Sequence, residues 1–295
     1  MSEHIEFYKN RSIGERFSVA IYFLKQNWKV LYKNILLGGL PLAIILAIIM
    51  SLQPTARLNT VPELSNSLFY LPFQFFFTFA NIVYLYSMTS ALLLHYNKNK
   101  FSETTGWDDL KDTFFNLSGK TILISLVVLI PITIIVVIIG AFIAVFFSTG
   151  IVSAGAAVFP VILIILLFAV LLIIAPIYCL LYFPAYFSEK GIIESIIISF
   201  KLGFKNWASL FVAVILTSVL YFVIHSIFSA PFEFIKLFLS GNNSILKFVF
   251  ANLSTVGTLL LYPVMIIVYA FQYFSIVEKE EGISLRAQIE DFENM

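Results

Sequence analysis

Six long runs of apolar residues alternate with shorter, more polar segments along the chain. A helix that crosses a bilayer needs roughly 20 mostly apolar residues, and each run meets or approaches that length. The runs lie at 35–52, 68–96, 121–147, 158–187, 210–228 and 248–276. We therefore predict an all-α, polytopic membrane helix bundle with six transmembrane helices arranged as three hairpins.

The longest apolar region runs from Thr121 to Phe187 and contains no Asp, Glu, Lys, Arg or His. One helix of that length would be far longer than the bilayer core is thick, because each residue adds about 1.5 Å. The chain must therefore turn back once within the region. The small residues of 148–157, with Gly150 and Gly155, predict the turn there.

Lys and Arg are distributed unevenly between the two sides of this arrangement. Only three of the 18, Arg57, Lys236 and Lys247, lie on the side opposite the N-terminus. Because cytoplasmic loops carry the excess of Lys and Arg, six spans place both termini in the cytoplasm, whereas five would break the alternation. The composition, rich in Phe, Ile and Asn, indicates the cytoplasmic (inner) membrane of a bacterium.

Each span that leaves the cytoplasm is preceded by a segment with apolar residues at helical spacing and charged residues between them. The segments lie at 12–33, 105–118 and 190–207. The pattern predicts three amphipathic interfacial helices, the first starting with a capping box of Ser12 and Glu15. Their interfacial anchors are predicted to be Trp28, Trp107 and Trp207. The same stripes could instead pack on the bundle as a cytoplasmic cap, and the pattern does not decide between these two arrangements.

The first and third of these segments align at a shift of 179 residues. ERFSVAIYFLKQNWKVL lies against ESIIISFKLGFKNWASL, which places Asn27 on Asn206 and Trp28 on Trp207. Four predicted spans separate the two segments, so both have the same orientation in the membrane. This indicates a parallel internal repeat.

Composition agrees with a membrane location and excludes several classes of protein. The chain is 60% hydrophobic and 12% charged, with a formal net charge of +1. Nucleic acid is therefore not an expected partner, since a basic surface of the required size is absent. The single cysteine, Cys179, excludes an intramolecular disulfide and a CxxC redox pair.

The predicted spans offer no catalytic or metal-binding constellation. They contain no Asp, Glu, Lys or Arg, and the three histidines of the chain are far apart in sequence. Proton relays and ion sites within membranes normally use such residues, and the chain has no phosphate-binding loop or HExxH motif. We predict a protein that is not an enzyme and has no metal, no cofactor and no catalytic residue.

Neutral polar residues are numerous in the second and sixth spans. Such residues most often join helices by hydrogen bonds, and less often line a cavity for a neutral or amphipathic solute. If a cavity exists, the residues predicted to line it are Asn81, Ser87, Asn252 and Thr255.

The stretch GIIESIIISFKLGFKNW, together with KQNW before the first span, carries a resemblance to a known family. In this and in its six-span layout, the chain resembles bacterial membrane proteins of uncharacterised function. It is also similar to the membrane domain that accompanies some glycerophosphodiester phosphodiesterases. The resemblance implies a single membrane domain, 1–295, without catalysis of its own.

These observations leave two hypotheses for function. The first is a non-enzymatic scaffold or membrane-organising subunit that acts through its amphipathic helices. The alternative is a transporter or permease of a neutral or lipid-like solute, with a path between the second and sixth spans. A protein partner or a second copy of the chain is compatible with either, and the acidic tail at 278–295 suits an exposed or partner-binding segment.

Overall fold

The computed structural model describes residues 5–52, 61–99, 105–148, 158–188, 190–238, 244–283 and 289. At 61–69, 134–148 and 244–260, and at scattered positions elsewhere, the description is limited to the backbone. Across all these ranges, every regular element is an α-helix. In chain order, the helices are α1 Ile13–Leu52, α2 Val61–Asn99, α3 Trp107–Ser148, α4 Val158–Tyr178, α5 Phe183–Phe187, α6 Ile192–Lys205, α7 Trp207–Phe238 and α8 Ser244–Glu281.

Five of the described helical stretches are long and apolar enough to cross a membrane. They are Ile13–Ile49, Tyr70–Lys98, Trp107–Ile130, Trp207–Pro231 and Leu261–Glu281. This agrees with a multi-pass membrane protein and with five of the six predicted spans. The fourth predicted span, 158–187, and the pairing into hairpins stay predictions. The apolar stretch described in that run, Leu172–Phe187, is shorter than a span, and the turn predicted at 148–157 falls almost wholly on residues outside the described ranges.

The predicted fourth span, 158–187, is not one continuous helix. Helix α4 ends at Tyr178, residues 179–182 form a turn, and α5 begins at Phe183. Pro184 stands in the first turn of α5, where its missing N–H costs nothing. The prediction of one unbroken helix through this run was therefore wrong.

Two of the three predicted interfacial helices are not separate elements. Helix α1 continues from the segment 12–33 into the first span, and α3 continues from 105–118 into the third. No strong breaker separates segment from span in either case, so the i to i−4 hydrogen bonds run on. Each of these two segments therefore leads into its predicted span within one helix. Only the third segment has a helix of its own, α6, which ends at a turn on Asn206.

The glycines of the first span serve close packing rather than interrupting the helix. The backbone N–H of Gly38 donates to the Tyr84 hydroxyl at 3.0 Å, and that hydroxyl donates to the carbonyl of Asn34 at 2.8 Å. A Cβ on Gly38 would lie 2.5 Å from Cε2 of Tyr84. The lack of a side chain therefore lets α1 and α2 approach each other at this level.

The chain forms two compact units. The first comprises residues 1–118 and 215–295, and in it α1 packs against α2 and α8. The second comprises residues 119–214, and in it α6 packs against α4 and α5. Each unit therefore contains one of the two segments that align in sequence.

The aligned segments also share local contacts. The Asn27 side chain donates to the Phe23 carbonyl at 2.9 Å, and the Asn206 side chain donates to the equivalent carbonyl, that of Leu202, at 3.2 Å. The buried positions coincide as well, at Arg16 and Ser195, Ala20 and Ser199, Phe23 and Leu202, and Leu31 and Leu210. The repeat therefore preserves which side of the helix meets the protein.

Candidate functional site: membrane-facing helices and a buried polar interior

The predicted cavity residues on α2 are buried. Asn81 and Ser87 both lie inside the first unit, where α2 contacts α1 and α8. The side-chain oxygen Oδ1 of Asn81 has no hydrogen-bond partner among the described residues. Asn252 and Thr255 belong to α8, but their side chains lie outside the described part of the structure.

Other polar atoms in this interior also lack partners within the described ranges. They are Thr89 Oγ1, Ser90 Oγ and Gln272 Nε2, all on fully buried side chains of α2 or α8. A buried polar group without a hydrogen bond costs about 1–3 kcal/mol. Together with Asn81, they place four polar atoms without described partners in the interior of the first unit.

A buried arginine joins the start of α1 to α8. Arg16 Nη1 donates to Gln272 Oε1 at 2.9 Å, and Arg16 Nε donates to the backbone carbonyl of Arg11 at 2.8 Å. Arg16 is almost fully buried. Its charge is therefore met by carbonyl oxygens of neutral groups, and it ties together segments far apart in the sequence.

The residues before α1 form a strap along α8, which we define as 5–12. The Arg11 backbone N–H donates to Ser275 Oγ at 3.0 Å, and the same hydroxyl donates to the Arg11 carbonyl at 3.3 Å. The Arg11 guanidinium donates to the carbonyls of Phe7, at 3.1 Å, and Glu6. The strap is thus held by both the backbone and the side chain of one arginine.

An aromatic cluster around Phe7 completes this contact. The ring of Phe7 lies 4.8 Å from that of Phe274, 5.4 Å from Phe271 and 5.8 Å from Tyr96, centroid to centroid. Phe23 of α1 lies 6.1 Å away on another side. The strap therefore carries apolar as well as polar contacts to α1, α2 and α8.

Burial changes the pKa of two strap residues. It raises the pKa of the Tyr8 hydroxyl to about 12, with a further contribution from the Glu281 carboxylate. It lowers the pKa of Arg11, against the opposing effect of Glu6 and Glu15. Since Tyr8 ionises only at high pH and Arg remains protonated in proteins, neither group changes charge near neutral pH.

The capping box predicted at the start of α1 is confirmed. The Ser12 N–H donates to Glu15 Oε2 at 2.7 Å, and the Glu15 N–H donates to Ser12 Oγ at 3.4 Å. Two backbone donors that a helix start would leave without partners are thereby satisfied.

Helix α6 has three large apolar side chains on its outer side. Ser195, Ser199, Leu202 and Gly203 form its buried side. The opposite side presents Ile193, Ile197 and Phe204, which are 70%, 61% and 57% exposed. An arrangement with serine and glycine inside and isoleucine and phenylalanine outside is the reverse of a water-soluble amphipathic helix.

Helix α1 is mixed on both sides. Of the predicted apolar stripe, Ile21 and Trp28 are 50% and 54% exposed and Leu31 is fully buried, while Arg16, Asn27 and Asn34 are buried as well. The apolar periodicity was therefore read correctly as helical, but part of the stripe lies on the outer side of the helix. In a lipid environment an outward apolar side is stable.

The three predicted tryptophan anchors have different surroundings. Trp28 is exposed on α1. Trp107 is half-buried and packs within its own helix, 5.2 Å from Phe114 between ring centroids. Trp207 stacks on Phe211 at 4.8 Å, and its Nε1–H donates to the Ile173 carbonyl at 3.0 Å. Only Trp28 thus has a mostly free ring face.

A side chain of α6 forms hydrogen bonds with backbone carbonyls at the break between α4 and α5. Ser199 Oγ lies 3.2 Å from the carbonyl oxygens of both Leu180 and Leu181, and 2.9 Å from that of Ser195. Carbonyls freed at a helix break need partners where water is excluded. The hydroxyl of Ser199 supplies one at the place where α6 meets the broken run.

A series of hydroxyl groups joins α3 to α4 and α5. Tyr182 OH lies 3.0 Å from Ser125 Oγ and 3.3 Å from Tyr178 OH, and Tyr186 OH is hydrogen-bonded to Thr121 Oγ1. These residues were not among those predicted from the sequence. The four-residue spacing of the three tyrosines was the signal that could have identified them.

No metal centre emerges from the described residues: among them, no group of three or more His, Cys, Asp or Glu side chains could hold a metal ion. The acidic residues at the start of α3 lie on its exposed side, where Asp108 pairs with Lys111 at 3.3 Å. The candidate functional features of the described residues are therefore the outward-facing apolar surfaces and the buried polar interior.

No protein-family model, no curated protein and no solved structure matches this chain. The resemblance to the membrane domain of glycerophosphodiester phosphodiesterases, carried by 191–207, therefore stays a prediction. Function has to be argued from the geometry of the described residues.

Proposed function

We propose that the chain is a non-enzymatic scaffold or membrane-organising subunit of the bacterial cytoplasmic membrane. In this proposal both termini lie in the cytoplasm. The apolar side of the amphipathic segment in each repeat faces lipid. A protein partner or a second copy of the chain would be recruited within the membrane plane.

The observation that carries the proposal is the orientation of α6. Its serine and glycine side is buried on α4 and α5, while Ile193, Ile197 and Phe204 point outward beside the charged residues Glu194 and Lys201. Apolar residues with charges at one edge are typical of a helix at the lipid–water boundary. Water alone would favour the opposite orientation.

Spin labels on α6 test this orientation. Labels at Ile197→Cys and Phe204→Cys should be reached mainly by oxygen, which concentrates in lipid, because their side chains point into the bilayer. Labels at Glu194→Cys and Lys201→Cys, on the adjacent edge, should be reached mainly by a water-soluble nickel complex. The measurement is power-saturation electron paramagnetic resonance on the protein in vesicles, with Cys179→Ala as background.

Equal access of the nickel complex to all four positions would contradict the proposal, because α6 would then lie in water. Ser195→Cys serves as a buried control, since Ser195 is fully buried and should be reached by neither reagent.

A second function, transport of a neutral or lipid-like solute, is favoured by the polar interior of the first unit. Four buried side chains there, Asn81, Thr89, Ser90 and Gln272, carry atoms without described partners. Such atoms could bind a solute that offers hydrogen bonds but no charge. A solute path between α2 and α8 would pass these residues.

The variant Asn81→Leu separates the two functions. If the chain is a scaffold, the variant should fold with a free energy of unfolding within about 1 kcal/mol of the wild type, because Oδ1 of Asn81 has no described partner to lose. A transporter should lose flux or retained solute although the variant folds. Native mass spectrometry of the wild type and the variant in mild detergent, with extraction of bound small molecules, is the measurement.

A stoichiometric lipid or solute retained by the wild type and lost in Asn81→Leu would establish the carrier and contradict the scaffold. A bare monomer, or a complex with another protein, in both samples would support the scaffold.

A further inference from the structure

Three lysines form a row along the exposed side of α1. Lys25, Lys29 and Lys33 follow each other at four-residue intervals, and all three are exposed. At about 1.5 Å per residue the row is about 12 Å long, with the three ammonium groups on one side of the helix. We call these residues the lysine row.

The lysine row has no compensating acid in the described part of the chain. None of the ion pairs found there includes its members; the first unit's pairs are Lys9 with Glu6, at 3.8 Å, and Lys111 with Asp108. The acid nearest in sequence, Glu15, is engaged by the Ser12 backbone. Among the described residues, the row is therefore a strip of positive charge without an ion-pair partner.

Apolar side chains accompany the row on the same helix. Ile21 and Trp28 are exposed beside it, and α1 continues without a break from Lys33 into the predicted first span. Tryptophan prefers the headgroup layer of a membrane. In the proposed membrane orientation, the lysines then lie where the helix enters the bilayer, near the level of the lipid phosphates.

The internal repeat shows that the row is not a requirement of the shared fold. At the shift of 179 residues, Lys25, Lys29 and Lys33 correspond to Phe204, Ala208 and Val212. The second copy thus preserves the buried side of the helix without the lysines. A charge pattern present in one copy only indicates a task specific to that copy.

We propose that the lysine row binds the phosphate headgroups of anionic phospholipids, with the Trp28 ring beside them in the headgroup layer. The inference rests on the proposed function, because it requires the outer side of α1 to face lipid. Clusters of basic residues next to a membrane helix attract anionic lipid by about 1 kcal/mol per residue. An acidic protein segment would match the charge, but not the exposed Ile21 and Trp28 on the same side.

Quenching of Trp28 fluorescence by brominated lipids tests the inference. Trp107→Phe with Trp207→Phe leaves Trp28 as the single tryptophan, which is then measured in vesicles containing brominated phosphatidylglycerol or brominated phosphatidylcholine. We expect phosphatidylglycerol to occupy the site about tenfold more readily. The triple variant K25Q/K29Q/K33Q should reduce this preference to about twofold or less.

The matched control is K190Q/K201Q/K205Q, which removes the same charge from α6 and from the residue two positions before it, and should keep the preference. The thermal stability of both triple variants is measured alongside, and the exposed positions predict little change. Equal quenching by the two lipids, or a preference that survives K25Q/K29Q/K33Q, would overturn the inference and leave the proposed function intact. Absence of quenching by either lipid would overturn both.

Discussion

Replacing Arg16 with methionine is expected to lower the free energy of unfolding by about 2–4 kcal/mol. The substitution removes the donors to Gln272 Oε1 and to the Arg11 carbonyl, at 2.9 and 2.8 Å. Both acceptors would then be buried without those partners, and the strap 5–12 would lose one attachment. Denaturant titration in detergent, followed by circular dichroism, measures the effect.

Lys25→Met is the matched control, since it removes a cation from the exposed side of the same helix. It should change stability by about 0.5 kcal/mol or less. The double variant Arg16→Met with Gln272→Leu should be less destabilised than the sum of the single variants, because neither partner is then left alone. Strict additivity would contradict a direct role of the Arg16–Gln272 hydrogen bond.

Adding one methyl group to α6, in Gly203→Ala, is expected to destabilise the second unit by about 1–3 kcal/mol. The new Cβ would lie 2.9 Å from Ile177 Cγ2 and 3.1 Å from its Cα. The Ile177 Cα cannot rotate away from the new methyl group as the end of a flexible side chain can. Helix α6 must therefore move away from α4. The hydrogen bonds from Ser199 to Leu180 and Leu181 would lengthen with it.

Gly119→Ala, in α3 of the same unit, is expected to increase the stability of the second unit. A Cβ there meets no atom within 4 Å, and alanine in a helix is more stable than glycine by about 0.5–1 kcal/mol. Comparison of the two melting temperatures separates packing from helix propensity. If Gly203→Ala were as stable as Gly119→Ala, α6 would not pack on Ile177 as described.

The sequence predicted the helical class, most span positions and the start of α1, because these depend on local features. Apolar runs report length and hydrophobicity directly, and the capping box of Ser12 and Glu15 lies within four residues. The turn at 179–182 was missed. Pro176 and Pro184 both fall in the same apolar run, and composition does not show which proline coincides with a break.

The buried sides of α1 and α6 were harder to predict for a physical reason. In water, apolar residues mark the inner side of a helix, but lipid is as apolar as the protein interior. Small and polar residues can then face inward, as Ser199 and Asn27 do, while Ile197 and Trp28 face outward. The burial of Arg16 depends on Gln272, and no local pattern connects these two residues.

The partner that holds Arg16 belongs to the last helix, 256 residues later in the chain. At about 5–20 residues per second, a ribosome needs roughly 13 to 51 s to make that interval. During this time α1 is already in the membrane, with Arg16 exposed to its surroundings and the strap without its support. The strap can therefore reach its contacts on α8 only late in synthesis, and chains that stop before α8 are expected to be degraded.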